Sequence, residues 1–210
     1  MALTKVIGNG LGTLGDGTAN DTKIVFDGNA QDFHVGLDDS TDSLTIGLGS
    51  TLGTTSHIVI DANGHITKPL QSAFQAKVQT GGQASFAYNA AQTIIFSRET
   101  FDQNADFASN TFTAPVTGRY LLSFHGRVDD IDSAASWVRT EIITSNRNYK
   151  SSIIDPRAFD ADAVYWNFSQ TVLADMDAGD TAYIYFGKSG GAAQSDLHGA
   201  DSFFSGFLAC

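Results

Sequence analysis

The chain is poor in the residues from which several familiar constructions are made. One of its 210 residues is cysteine (Cys210), so no intrachain disulfide can form. Only three are proline and only two are glutamate, Glu99 and Glu141. The other 21 acidic residues are aspartate, which suits caps and turns where glutamate suits helix interiors. Six lysines and six arginines lie scattered among 23 acidic residues, for a net charge of −11. That balance excludes a phosphate-binding face for nucleic acid. No apolar run approaches the ~18 residues of a membrane-spanning helix, so no membrane insertion is expected. The opening MALTKVIGNGLG has no apolar stretch of the secretory type, which points to synthesis in a cytoplasm. Without such a signal, the sequons Asn20-Asp21-Thr22 and Asn167-Phe168-Ser169 carry no expectation of glycosylation.

Aromatic residues are missing from the first third. Residues 1–69 hold eleven of the 21 glycines but only two aromatics, Phe26 and Phe33. So few large apolar groups cannot build a globular core alone. Short β-branched runs do punctuate the segment: Lys23–Phe26, Ser43–Ile46 and His57–Ile60. Thr22–Asp27 recurs as Ser56–Asp61 at an offset of 34 residues, and Leu14 maps onto Leu48. A repeat of this size predicts stacked β-rungs that need neighbours. Three chains side by side would supply them, each turning its apolar face to a shared axis. Residues 20–69 are therefore expected to be a slender trimeric β-stalk, similar to the short shaft segments of bacteriophage fibres. Residues 1–19 are expected to be a flexible attachment tail.

What is abundant is aromatic residues in the remainder. Phe96, Phe101, Phe107 and Phe112 precede a turn at 115–118, after which Tyr120, Leu122 and Phe124 alternate along one face of a strand. One strand cannot bury so many rings, so this stretch belongs in the middle of a β-sandwich. Further strands are predicted near 73–76, 83–88, 92–97, 111–114, 136–145, 149–154, 163–173, 181–187 and 201–208. The spacing Phe96, Asp102, Phe107 and then Phe112, Gly118, Tyr120, Phe124 resembles the signature of the complement C1q globular head. Leu122 stands where that signature has Phe, and Phe107 and Phe112 are two residues closer than usual, a change that preserves strand parity. Phe204–Leu208 and Ala178–Thr181 are similar to the family's last strand and penultimate hairpin. The resemblance covers about residues 70–210. It implies an all-β, ten-stranded jelly-roll head that assembles as a homotrimer, with Phe101, Tyr120, Phe124, Tyr183, Tyr185, Phe204 and Phe207 supplying core and trimer interface.

The chemical motifs are weaker. Gly187-Lys188-Ser189-Gly190-Gly191 has the form G-x-S-x-G, followed by Asp196 and His198, but no helix follows to make the nucleophile elbow. Gly187-Lys188-Ser189 lacks the first glycine of a P-loop, and Gly10-x-Gly12-x-x-Gly15 has no βαβ unit around it. No enzyme activity is expected. The five histidines show no metal-ligand spacing. Asp175, Asp177 and Asp180 are the candidates for Ca²⁺, although Gly179 breaks the EF-hand pattern; no cofactor is expected.

The reading that follows is a homotrimeric virion fibre or appendage, made in a host cytoplasm. Its N-terminus would dock on other virion proteins, and its head would bind a host-surface glycan or protein. The loops expected to bind are 129–136, 146–149, 155–162 and 187–198, with Asp129, Asp130, Asp132, Asn146, Asp160, Asp162, Ser189 and His198. Trp137 and Tyr149 are the expected exposed rings. Alternatives are a capsid decoration, head-fibre or collar protein without receptor binding, and a fibre-borne glycan-degrading enzyme.

Overall fold

The computed structural model of the chain describes residues 14–87 and 89–210. Among these are eighteen strands and one 3-10 turn, Pro156–Ala158. Most of the expected tail, residues 1–13, lies outside the described residues. The chain divides into two compact units, one ending at Leu70 and the other running Gln71–Cys210.

The first unit is an antiparallel meander of β1 (Thr22–Phe26), β2 (Phe33–Asp38), β3 (Ser43–Leu48), β4 (Ser56–Ile60) and β5 (Ile66–Thr67), in that order across the sheet. The 34-residue repeat falls on β1 and β4. The strands expected as separate rungs are thus members of one continuous sheet. Register pairs Phe33 with Leu48, Val35 with Ile46 and Leu37 with Leu44. It also pairs Ile24 with Val35 and Phe26 with Phe33. One face is therefore apolar apart from Thr22 opposite Leu37, while the other carries His34, Gly36, Asp38, Ser43 and Thr45. It is the small, polar face that is buried. The β3–β4 connection lies against it: Leu52 is buried, Gly49 accepts its carbonyl contact from His34 Nδ1 at 2.9 Å, and Leu48 donates to Thr55 at 2.9 Å. Gly53 adopts φ +75°, and a Cβ there would come within 2.8 Å of Asp38 Oδ2.

The second unit holds β6 (Ala73–Lys77), β7 (Gln83–Phe86), β8 (Ala90–Thr93), β9 (Arg98–Asp102), β10 (Phe107–Ala108), β11 (Thr111–Thr113) and β12 (Gly118–Ile131). They are followed by β13 (Ala135–Thr144), β14 (Asn148–Ile154), β15 (Ala163–Met176), β16 (Thr181–Gly190), β17 (Ser195–Leu197) and β18 (Phe203–Leu208). They form a jelly-roll sandwich. One sheet runs β10-β11-β16-β13-β14, with β8 also on β16. The other runs β7-β17-β12-β18-β6-β9, with β15 along the remaining edge of β12. Three strands, β9, β10 and β17, are not among the predicted ones. They are short or irregular, and long-range pairing decides them.

The aromatic stretch makes the core. Phe74 lies 4.9 Å from Phe107 and 4.8 Å from Phe112 in stacked geometry, with Phe204 edge-on at 5.0 Å. Tyr120, Leu122 and Phe124 point inward from β12, as the alternation predicts. Tyr120 keeps its hydroxyl satisfied by donating to the Val116 carbonyl at 2.7 Å. Tyr120, Phe124 and Phe204 are 0–1% exposed, so they belong to the intrachain core and have no surface left for an interface. Phe101 is the exception in the stretch. It sits on β9 with its ring on the outer face, 49% exposed.

Candidate functional site

At the Ile131 end of β12, three of the four segments expected to bind come together. Asp132 ties two of them together. Its Oδ1 accepts from the Ala134 N–H at 2.8 Å, and its Oδ2 accepts from Ala192 at 2.6 Å and Ala193 at 2.9 Å. These N–H donors, those of Ala193, Ala134 and Ala192, hold its carboxyl below the usual aspartate range. Asp162 accepts from the Ser133 hydroxyl at 2.6 Å and N–H at 2.8 Å, which lowers its pKa as well. Between the tied segments lies an open depression of about 350 Å³, lined by Asp130, Asp162, Ala163, Val164, Ala193 and Gln194. Asp130 is exposed and held at φ +58°. Asp160 is also exposed. Asp129 is held in the strand by Arg127, whose guanidinium spans it and Asp201 and lies 5.4 Å from the Tyr165 ring.

Several expected site residues are placed otherwise. Asp132 is buried and fully engaged by backbone, so it is a loop anchor and not a ligand contact. Tyr149 faces inward from β14 and packs against the core, so it is not an exposed ring. Trp137 is half-buried on the outer face of the six-stranded sheet, with the Arg139 guanidinium 4.3 Å over it. The 187–198 segment is not a single loop, because Gly187–Gly190 continue β16 and Ser195–Leu197 form β17. Ser189, Asp196 and His198 do not converge. Ser189 Oγ donates to Asn89 at 3.3 Å, Asp196 caps the Ser85 N–H at 2.6 Å, and His198 lies 3.0 Å from Asp201.

The fourth expected segment lies at the opposite end of the sandwich, beside the β15–β16 hairpin. Asn146 donates to the Asp175 carbonyl at 3.2 Å and to Asp180 at 2.6 Å. Asp180 also accepts from Ser145 at 2.6 Å, the main cause of its lowered pKa. Asp175 pairs with Arg119, and Asp177 accepts from Thr117 at 3.4 Å. The three carboxylates proposed for Ca²⁺ thus tie the β15–β16 hairpin to Arg119, Thr117, Ser145 and Asn146. Among the described residues no three His, Cys, Asp or Glu gather as a metal-ion site.

A second surface stands out on the outer face of the seven-stranded sheet. Register places Leu121 between Leu173 and Phe207, with Ala73 and Phe101 beyond. Phe101, Leu173 and Phe207 are 45–57% exposed, and a shallow concavity of about 400 Å³ runs between Phe101, Leu121 and Phe207. Tyr183 and Tyr185, expected beside them, are instead on the outer face of the other sheet, with rings 5.1 Å apart. Leu121 and Leu173 were legible as the outward positions of alternating strands, but the aromatics alone do not single them out.

This two-sheet order coincides with a match of residues 73–209 to the C1q domain. The chain belongs to the C1q domain family. Its C1q domain is similar to the globular domain of zebrafish complement 1qA protein, at 22% identity over 67% of this chain and 98% of that one, with a TM-score of 0.48. It is similar also to murine APRIL, at 11% identity over 66% and 98%, TM-score 0.48. A third similar structure is the Eiger TNF of S. frugiperda, at 11% identity over 67% and 94%, TM-score 0.46.

Proposed function

We propose that the chain is a homotrimeric subunit of a virion appendage of the bacteriophage-fibre type. Its N-terminus docks on the particle, and its C1q head binds a receptor on the host surface. The observation that carries the trimer is the open apolar strip of Phe101, Leu121, Leu173 and Phe207 on one sheet face of an otherwise well-filled sandwich. Such strips mark association sites. The binding role rests on the depression at the Ile131 end, where three segments tied by Asp132 and Asp162 present a surface that a trimer repeats three times. Repetition raises avidity without new contacts. The separation of Ser189, Asp196 and His198 favours binding over catalysis.

Light scattering on the purified chain is the first test, with three times 22.3 kDa expected; a single-chain mass at micromolar concentration overturns the trimer. Gold labelling of the chain on intact particles tests the location. Label confined to the particle interior, or none on particles, removes the appendage reading.

A further inference from the structure

The N-terminal sheet is built inside out. Its buried face is small and polar, covered by its own β3–β4 connection, while its large apolar side chains face water. Phe26, Phe33, Leu37, Leu44, Ile46 and Ile66 remain 39–65% exposed. At ~200 Å² per large side chain this leaves roughly 600 Å² of contiguous apolar surface, already at the upper end for a monomer. The half-buried Val35, Leu48, Ile58 and Ile60 between them extend it, toward the ~800 Å² that each partner gives to a standard interface.

We infer that this face is closed by the same face of two further copies of the chain, so that the sheets form a second trimer contact independent of the head. The register leaves no charged side chain among the paired apolar positions, so an identical face meets it without burying an unpaired charge. The polar side of the sheet is already covered, which leaves each sheet a single adhesive face and lets the assembly close instead of stacking. Three copies follow from the threefold reading of the head, on which this inference rests: once heads associate, the N-terminal units are held near one another at high effective concentration.

Ile46, at the middle of the face, provides the probe. The full chain carrying Ile46→Cys and Cys210→Ser has one thiol, and its maleimide labelling is compared with that of the same chain in denaturant while native mass is measured. A three-copy mass with labelling slowed on the order of a hundredfold, and protection lost on dilution together with the mass, is the expected result; that slowing corresponds to ~2.8 kcal/mol of opening free energy at a factor of ten per 1.4 kcal/mol. A three-copy mass with a freely labelled thiol overturns this inference and leaves the head trimer standing. A single-chain mass with a free thiol overturns both. A single-chain mass with a protected thiol shows an intrachain cover and also overturns the inference. The pair Leu44→Asp, Ile46→Asp places charge on the same face, and should expose the unit to hydrogen exchange at β2 and β3 while the exchange of β12 is unchanged.

Discussion

Asp132 shows how one aspartate can tie two loops together. Replacing it with alanine leaves three N–H groups of Ala134, Ala192 and Ala193 without their acceptor in a largely buried place. A loss of about 2 kcal/mol is expected, from hydrogen bonds to a charged group at ~1.5–3 kcal/mol less partial rescue by water. Because the folded carboxyl titrates below its usual 3.8, its contribution is present above that pH and disappears as pH falls through the folded value. Urea unfolding of Asp132→Ala against the native chain should therefore show a gap at neutral pH that narrows on acidification. A gap independent of pH contradicts the role given to the charge.

Lys188 obeys the opposite logic. It is 1% exposed, donates to the Ala193 carbonyl, and lies 3.4 Å from Ser195 Oγ. Burial lowers its pKa below the 10.5 of a free lysine, against the opposing pull of Asp132 and Asp196. Between the folded value and 10.5 the unfolded chain binds more protons, so stability rises with pH across that window. Lys188→Met removes the titration. The stability of the native chain relative to this variant should climb on the alkaline side of neutrality, and a flat difference from pH 7 to about 10.5 is the failing outcome.

At the scale of elements, β12 is the strand to which the rest of its sheet is fitted. It takes β15 along one edge and both β17 and β18 along the other. Gly126 occupies an inward position, and a Cβ there would enter the contact distance of the Phe124 ring and the Leu197 side chain. The backbone conformation is not in the left-handed region, so the constraint is space alone. Gly126→Ala should lower stability by roughly 1–3 kcal/mol, the cost of overpacking a filled core. A thermal midpoint unchanged within a degree would mean that the ring moves aside freely. The strands β9, β10 and β17 carry a related lesson. Each is two to five residues long, and only the presence of β6, β11 and β12 makes them strands.

For the whole molecule, the two open apolar faces belong to different units and make separable predictions. Phe101→Asp with Phe207→Asp puts charge on the head's strip, where both rings are about half exposed, so the fold should persist by circular dichroism. The expected effect is at least a tenfold weaker association of the isolated contact, seen as a lower native mass on dilution. In a chain that also carries Leu44→Asp and Ile46→Asp, so that the N-terminal face cannot hold the copies together, an unchanged mass at all concentrations would place the head contact elsewhere.

Composition and alternation were enough to determine an all-β chain with a sparse first third, the ring-bearing stretch at its centre and the inward set of Tyr120, Leu122 and Phe124. These depend on neighbours one to a few residues apart, and pleat geometry converts such spacing into faces. Tertiary structure alone decided that Phe101 leaves the core its neighbours join, that Tyr149 turns inward, and that Asp132 is an anchor. It also decided which face of the first sheet is covered. That outcome turns on where the β3–β4 connection crosses, and a crossing is set by packing among residues far apart in the chain.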